Sequence, residues 1–347
     1  MIVKIADHII SPLGVGTMAN YTAVAASRTG LKAYTHLFDC VEPFVASLME
    51  ERPKFVDMCI AAVRAALEQT NVDAHSSSVV FVLSTTKGDN LELWSSSQRV
   101  TRYFGNTNPP VVVSNACVSG VSAQIVGARL IESGKYKTAI IVGADVQTKF
   151  IISGFQSFKA LSNEPCRPFD KNRKGLNLGE AAACLILEEQ TKTNTKQWIY
   201  EQGSMHNDAN HISGPSRTGE GSWRCLQDCL EPSTSRLAFV SVHGTGTLYN
   251  DEMEAIALNR AGLSDEPIWA LKGYFGHTMG AAGVLETILS MQALEHGQIP
   301  ASLGFEQTGT TIPCRIANTP QPIHGDSFIK LLSGFGGCNA AVRWCWK

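Results

Sequence analysis

The chain has 347 residues, 44% of them hydrophobic and 17% charged, with a formal net charge of -2. This is an ordinary globular composition with ample material for a buried core, in two domains or one fused pair. The near-neutral balance gives no bulk affinity for nucleic acid or an anionic membrane, and no apolar run is long enough to cross a bilayer.

The N-terminus, Met1-Ile2-Val3-Lys4-Ile5-Ala6-Asp7, meets charge too early for a secretory signal. It reads as a first strand, and the chain as cytoplasmic. The ten cysteines have no framework spacing. Cys59 and Cys184 sit in apolar runs, as small buried thiols of a reducing compartment do. Cys225 and Cys229 are one helical turn apart, but no second pair completes a zinc site, so they read as packing on a helix face.

Helical and strand patterns then alternate. A helical period runs from Phe55 to Gln69. Continuous apolar runs at Val79–Leu83, Val111–Val113, Thr138–Gly143 and Ala182–Leu187 read as strands buried on both faces. In the second half, Ala238–Val242 and Phe328–Leu332 repeat the theme, with helices expected at Asn250–Asn259 and Ala281–Glu295. The pattern predicts a layered α/β architecture. Polar, turn-rich stretches lie at Glu189–Lys196 and Asn207–Ser222, and the first marks a boundary between residues 1–190 and 191–347. Each half contains an apolar strand, a reactive-type residue and a helix opening on small residues, which suggests an internal duplication around one site.

Four segments carry chemistry. At Val111–Ala123 a strand ends, the chain turns at Asn115-Ala116-Cys117, and a helix opens on Val118-Ser119-Gly120. That places the Cys117 thiol at a helix N-terminus, where the dipole is expected to lower its pKa. His243 follows a strand in His243-Gly244-Thr245-Gly246-Thr247, where glycines let the backbone approach a ligand and threonines supply hydroxyls. His277 lies in Lys272-Gly273-Tyr274-Phe275-Gly276-His277, followed by a small-residue helix start. The lysine precedes the glycines, so this is not a phosphate loop. Ser333-Gly334-Phe335-Gly336-Gly337 is a fourth turn, whose backbone N–H groups suit an oxyanion hole.

Together and in this order, these segments resemble the β-ketoacyl synthases, the thiolase-fold condensing enzymes. The matching motifs are Ala-Cys-x-Ser-Gly at Cys117, His-Gly-Thr-Gly-Thr at His243, Lys-x-x-x-Gly-His-x-x-Gly-Ala-Ala-Gly from Lys272, and Gly-Phe-Gly-Gly-x-Asn from Gly334. Arg167-Pro168-Phe169-Asp170 with Gly179-Glu180, and Ile10–Gly14, fall in order as well. The resemblance implies a five-layered α/β/α/β/α fold of two similar halves. It also implies acyl transfer from acyl carrier protein to Cys117, then decarboxylative condensation with malonyl carrier protein in fatty acid, polyketide or aryl polyene synthesis. By the same resemblance His243 and His277 stabilise the enolate, and Lys272 tunes the pocket and orients His277. Cys117 and Phe335 supply the oxyanion hole, Phe335 gates the acyl pocket, Thr245 and Thr247 bond the phosphopantetheine arm, and Gly336 joins them as a substrate-binding residue. Metal and a permanent cofactor are not expected.

The chain departs from the family pattern in three places, the mildest being Glu180-Ala181-Ala182-Ala183, where many members carry more glycine. Thr85–Pro110, before the nucleophile, is shorter than the family's covering insertion. Cys338 stands where Thr or Ser is usual, which raises a CoA-dependent thiolase as an alternative, since thiolases use a second cysteine. A homodimer is expected, or a heterodimer with a related chain that sets chain length. Arg52 and Lys54 are candidate docking residues for the acidic carrier protein.

Overall fold

The computed structural model describes every residue except 41, 192–194 and 232. The boundary expected after residue 190 adjoins residues outside those described.

The main sheet is built from β1 (Ile2–Ser11), β2 (Val79–Ser84), β3 (Val111–Val113), β4 (Thr138–Asp145), β5 (Ala181–Glu189), β6 (Trp198–Asn207), β7 (Leu237–Ser241), β8 (Ile268–Trp269), β9 (Ser327–Gly334) and β10 (Cys338–Trp346). The helices are α1 (Thr17–Ala25), α2 (Phe55–Leu67), α3 (Leu93–Tyr103), α4 (Ser119–Glu132), α5 (Lys149–Ser157), α6 (Glu220–Leu230), α7 (Leu248–Arg260), α8 (Lys272–Phe275) and α9 (Ala282–Glu295). Each run read as a strand or helix from its period falls on one of these elements. The last strand is longer than the Ala340–Cys345 suggested by its apolar residues, because β10 pairs with β6 and β9 along its length.

Strand order is β8-β7-β9-β10-β6-β1-β5-β4-β2-β3. Counted from the outer edges inward, the two halves run β3-β2-β4-β5-β1 and β8-β7-β9-β10-β6, the same order with the same directions. In each, the first three strands are parallel and the last two antiparallel. The halves join where β1 meets β6 through Val3 opposite Ile199 and Lys4 opposite Trp198.

Alternation along the strands explains the layers. Val80 and Val82 face a cluster with α4 and α9, while Val79, Phe81 and Leu83 face one with α2. In the other half, Val240, Ile329 and Leu331 pack with α6 and α7. Both faces of each half-sheet are covered, which is why the strands read as unbroken apolar runs. The layers are therefore helix, half-sheet, the central pair α4 and α9, half-sheet, helix. The central pair approaches closely because Gly120 faces Gly283: a Cβ on Gly120 would lie 2.8 Å from the Gly283 nitrogen.

The cover over the site is small. Lys32–Tyr34, Phe44–Ser47 and Leu178–Gly179 form a separate three-stranded sheet. It packs with α5 in a cluster that reaches Phe155, Met279 and Phe335. Among the described residues, no helix is long and apolar enough to cross a membrane.

Candidate active site

Three elements deliver the reactive side chains to one point. Cys117 sits in the turn between β3 and α4, and the residue before it, Ala116, has φ 45°. A non-glycine residue in the left-handed region is strained, and such strain persists where the surroundings impose it. Asn115 N–H donates to Ser119 Oγ, whose hydroxyl donates to Ala116 O, and these bonds tie the elbow to the helix start.

His243 follows β7. Its own N–H and that of Gly244 each donate to the buried carboxylate of Glu254 at 2.7 Å. Asp251 accepts from the N–H groups of Thr245, Gly246 and Phe169. Two carboxylates on the buried side of α7 thus clasp the His-Gly-Thr-Gly-Thr turn by its amides. His277 leaves α8 through Gly276, and Met279, with φ 54°, turns back so that its N–H donates to His277 Nδ1 at 3.1 Å.

The Cys117 sulfur and one ring nitrogen of each histidine lie within 4.8 Å of one another, and all three residues are buried. The two imidazoles meet edge to face at 5.0 Å between centroids. Cys, His and His are metal-ligating types, but the Met279 N–H fixes the His277 tautomer. With Nδ1 accepting, the proton sits on Nε2, which is buried and bonded by no described residue. Nε2 is therefore a donor aimed into the site, and a metal would need its lone pair.

Burial decides the protonation states. It pushes the Cys117 thiol up to about 11, against the pull of Lys272 and of the Phe335 and Cys117 backbone N–H groups. The lowered thiol expected at the helix start does not hold, because full desolvation outweighs these favourable contacts. Both imidazoles are held well below the ordinary histidine range, by burial first and then by the positive charge of Lys272. The site at neutral pH is a neutral thiol beside two neutral imidazoles. The two backbone N–H groups at the sulfur are those of Phe335 and Cys117.

Beneath the histidines lies a buried ionic cluster. Lys272 Nζ donates to His243 O at 2.7 Å and to Glu286 Oε1 at 2.8 Å. Lys330 Nζ stands 2.5 Å from Glu286 Oε2. Lys272 thus braces the His243 backbone rather than the His277 ring that the sequence assigned to it. Glu286, Lys330, Glu254 and Asp251 carry this framework and were not singled out in the sequence. Lys330 left a signal there, as a charge in the middle of an apolar strand.

A cavity of about 430 Å³ opens above the sulfur. Thr245 and Thr247 line it, with their hydroxyls 2.9 Å apart. Phe335 lines it too, stacked on Phe155 at 5.6 Å and edge-on to Phe158 at 5.7 Å. Gly336 does not line it: its N–H donates to Ile212 O at 2.7 Å and anchors the 208–215 loop, which forms one wall. That loop, read in the sequence only as turn-rich, brings Asp208 and His211 to the cavity. Cys117 is the cysteine of the lining. Cys338 lies outside it, its sulfur accepting from Asn207 Nδ2 at 3.7 Å, so it does not face Cys117 as a second acid/base group would. Arg52, considered for docking, stacks over the Phe38 ring at 4.2 Å, while Lys159 and Lys174 line the cavity and Lys54 does not.

Residues 58–193 match the family model "Beta-ketoacyl synthase, N-terminal domain", and residues 198–306 its C-terminal counterpart. The tetracenomycin polyketide synthase ketoacyl synthase alpha subunit of Streptomyces glaucescens is 29% identical over 256 residues, 69% of this chain and 60% of that protein. The 3-oxoacyl-[acyl-carrier-protein] synthase 2 of Coxiella burnetii is 29% identical over 253 residues, 67% of this chain and 61% of that one. The matched stretch thus spans about three fifths of the length of these relatives. A solved complex of a ketosynthase with its chain length factor, from Xenorhabdus doucetiae, contains a chain that superposes with a TM-score of 0.86. That chain is 25% identical, and the match covers 100% of this chain and 98% of that one. The order of motifs, the doubled five-strand topology and both family models agree: the chain belongs to the β-ketoacyl synthase family.

Proposed function

We propose that the chain condenses a Cys117-bound acyl group with malonyl-acyl carrier protein, releasing carbon dioxide and forming 3-oxoacyl-acyl carrier protein. The observation that carries this reading is one sulfur beside two neutral imidazoles and two backbone N–H groups.

In the first half-reaction, the Cys117 thiol gives its proton to the neutral His243 imidazole, since His277 Nε2 already carries one, and attacks the carrier-bound thioester. The oxyanion forms beside the N–H groups of Cys117 and Phe335, and the carrier thiol leaves with the proton. In the second, malonyl-carrier protein binds and its carboxylate departs as carbon dioxide. The electron pair is held as an enolate whose oxygen accepts from His277 Nε2–H and the His243 ring N–H. The enolate carbon then attacks the Cys117 thioester, a carbon–carbon bond forms, the carbon–sulfur bond breaks, and the leaving thiolate takes up one proton from solvent to regenerate the thiol. Neutral donors suit this step, because an imidazolium would protonate the enolate carbon's partner oxygen too readily. Thr245 and Thr247, on the cavity wall, would bond the amides of the phosphopantetheine arm, which enters as part of the substrate carrier. Phe335, held between Phe155 and Phe158, would swing aside when the acyl chain enters.

The partners proposed are acyl carrier protein and a second synthase-like chain. The Xenorhabdus neighbour, a ketosynthase with its chain length factor, supports a heterodimer as the second reading beside a homodimer. A cytoplasmic setting fits the ten free thiols. The test is carbon dioxide release from malonyl-carrier protein. His243→Ala and His277→Ala should each slow it by about a hundredfold or more, the loss typical of one oxyanion donor. Unchanged release in both variants would contradict the assignment. Preferential thiolysis of acetoacetyl-CoA by CoA would point to a thiolase instead.

A further inference from the structure

Two lysines, both fully buried, share the one carboxylate of Glu286 under the active site. Lys272 comes from α8. Lys330 comes from the middle of β9, where it pairs in register with Ser241 of β7. Their ammonium groups hold consecutive carbonyls: Lys330 Nζ donates to Val242 O at 2.8 Å, and Lys272 Nζ to His243 O at 2.7 Å. Lys330 also reaches Ser241 Oγ at 3.3 Å. The strand end that launches His243 is therefore gripped at two adjacent peptide units, the lysines holding their carbonyls and Glu254 the N–H groups of the same two units.

Charge counting gives the cluster a second effect. Within the Lys272–Glu286–Lys330 set one carboxylate faces two ammonium groups, with Glu254 as a further acid acting on Lys330, and burial leaves their charges little screened by solvent. Lys330 is among the charges that hold both imidazoles below their ordinary range. Glu286 itself is kept ionised by the two lysines, against the penalty of its burial. Burial draws the Lys330 ammonium below the usual lysine range, and the Lys272 charge adds to this while Glu286 and Glu254 oppose it.

We propose that Lys330 is a positioning residue of the site: it fixes the backbone that carries His243 and places a second buried positive charge beside Lys272 under the two histidines. The catalytic readout rests on the condensing reading above, whereas the electrostatic readout does not. The groups facing Lys330 are Lys272 of α8, Glu286 of α9, Glu254 of α7 and the two histidines. Lys330→Met preserves length and leaves Glu286 paired with Lys272 alone, a balanced ion pair. Lys330→Gln keeps a donor for Val242 O without the charge.

Imidazole resonances of labelled protein, assigned with His243→Gln and His277→Gln, report the histidine pKa values directly. In Lys330→Met both should rise by about one unit, and the acid limb of carbon dioxide release should move up by the same amount. The rate on that limb should fall about tenfold with KM for malonyl-carrier protein unchanged. Lys330→Gln should give the same histidine shift with a smaller loss of rate on the plateau, and serves alone if the Met variant does not fold. Histidine pKa values that stay in place in a folded variant would overturn the proposal, whatever the rate. If the parent protein releases no carbon dioxide, the condensing reading fails while the resonance titration still decides the role of Lys330.

Discussion

At the scale of single residues, burial sets the chemistry. Cys117 lies at a helix start, yet its thiol is pushed up to about 11, so in its proposed role as nucleophile it needs a base rather than standing as a thiolate. Its alkylation by iodoacetamide should still accelerate above about pH 10, well past an ordinary thiol near 8.5. A rate that levels off near neutrality would show a preformed thiolate. The folded thiol holds its proton more tightly than the unfolded one, so this contribution to stability is present below the unfolded pKa. It is lost as pH rises towards the folded value. Glu286 is the other decisive residue. Glu286→Gln leaves two buried ammonium groups with no carboxylate between them, and should cost about 3–5 kcal/mol in urea unfolding. A loss within about 0.5 kcal/mol, as for an exposed pair, would mean that water reaches the cluster.

At the scale of elements, the close crossing of α4 and α9 holds the two halves of the site in place. α4 carries Cys117 at its start and α9 carries Glu286, so any separation of the helices moves the nucleophile away from the histidine floor. Gly120→Val would place a side chain against the Gly283 backbone, which cannot move without shifting α9. The expected outcome is destabilisation of about 1–3 kcal/mol or more, with a loss of acyl transfer larger than the loss of folded protein. Equilibrium unfolding beside single-turnover acylation separates the two, and a stable, fully active variant would show that the helices are free to separate. The elements themselves were legible because each strand is apolar on both faces and each helix is flanked by turn residues. What periodicity did not show was the clasp on the His243 turn. Asp251 and Glu254 look like solvent-facing acids of a polar helix start, and only the fold buries them against the amides of 243–246.

At the scale of the whole molecule, the repeated strand order explains why one site is built from both halves. The first half contributes Cys117 and the second His243, Lys272, His277 and Phe335, and the central helices bring the two together. The sequence's echo of strand, reactive residue and small-residue helix start was a trace of this doubling. The motifs at Cys117, His243, His277 and Phe335 could be read because glycine and small residues mark every turn that approaches the cavity. The loop at 208–215 could not, since its composition is that of any surface turn, and its place on the wall comes from contacts with Gly336 and Gly337. The small cover over the cavity leaves Phe335 held by Phe155 and Phe158, and the proposed acyl substrate would enter past this aromatic cluster.

The central claim is that Cys117 carries the acyl group, and intact-mass spectrometry tests it most directly. Incubated with a panel of acyl carrier protein thioesters, the protein should gain the mass of one acyl group, and Cys117→Ser should gain none. An acyl adduct of equal yield in Cys117→Ser, or none in the parent protein with any chain length, would contradict it.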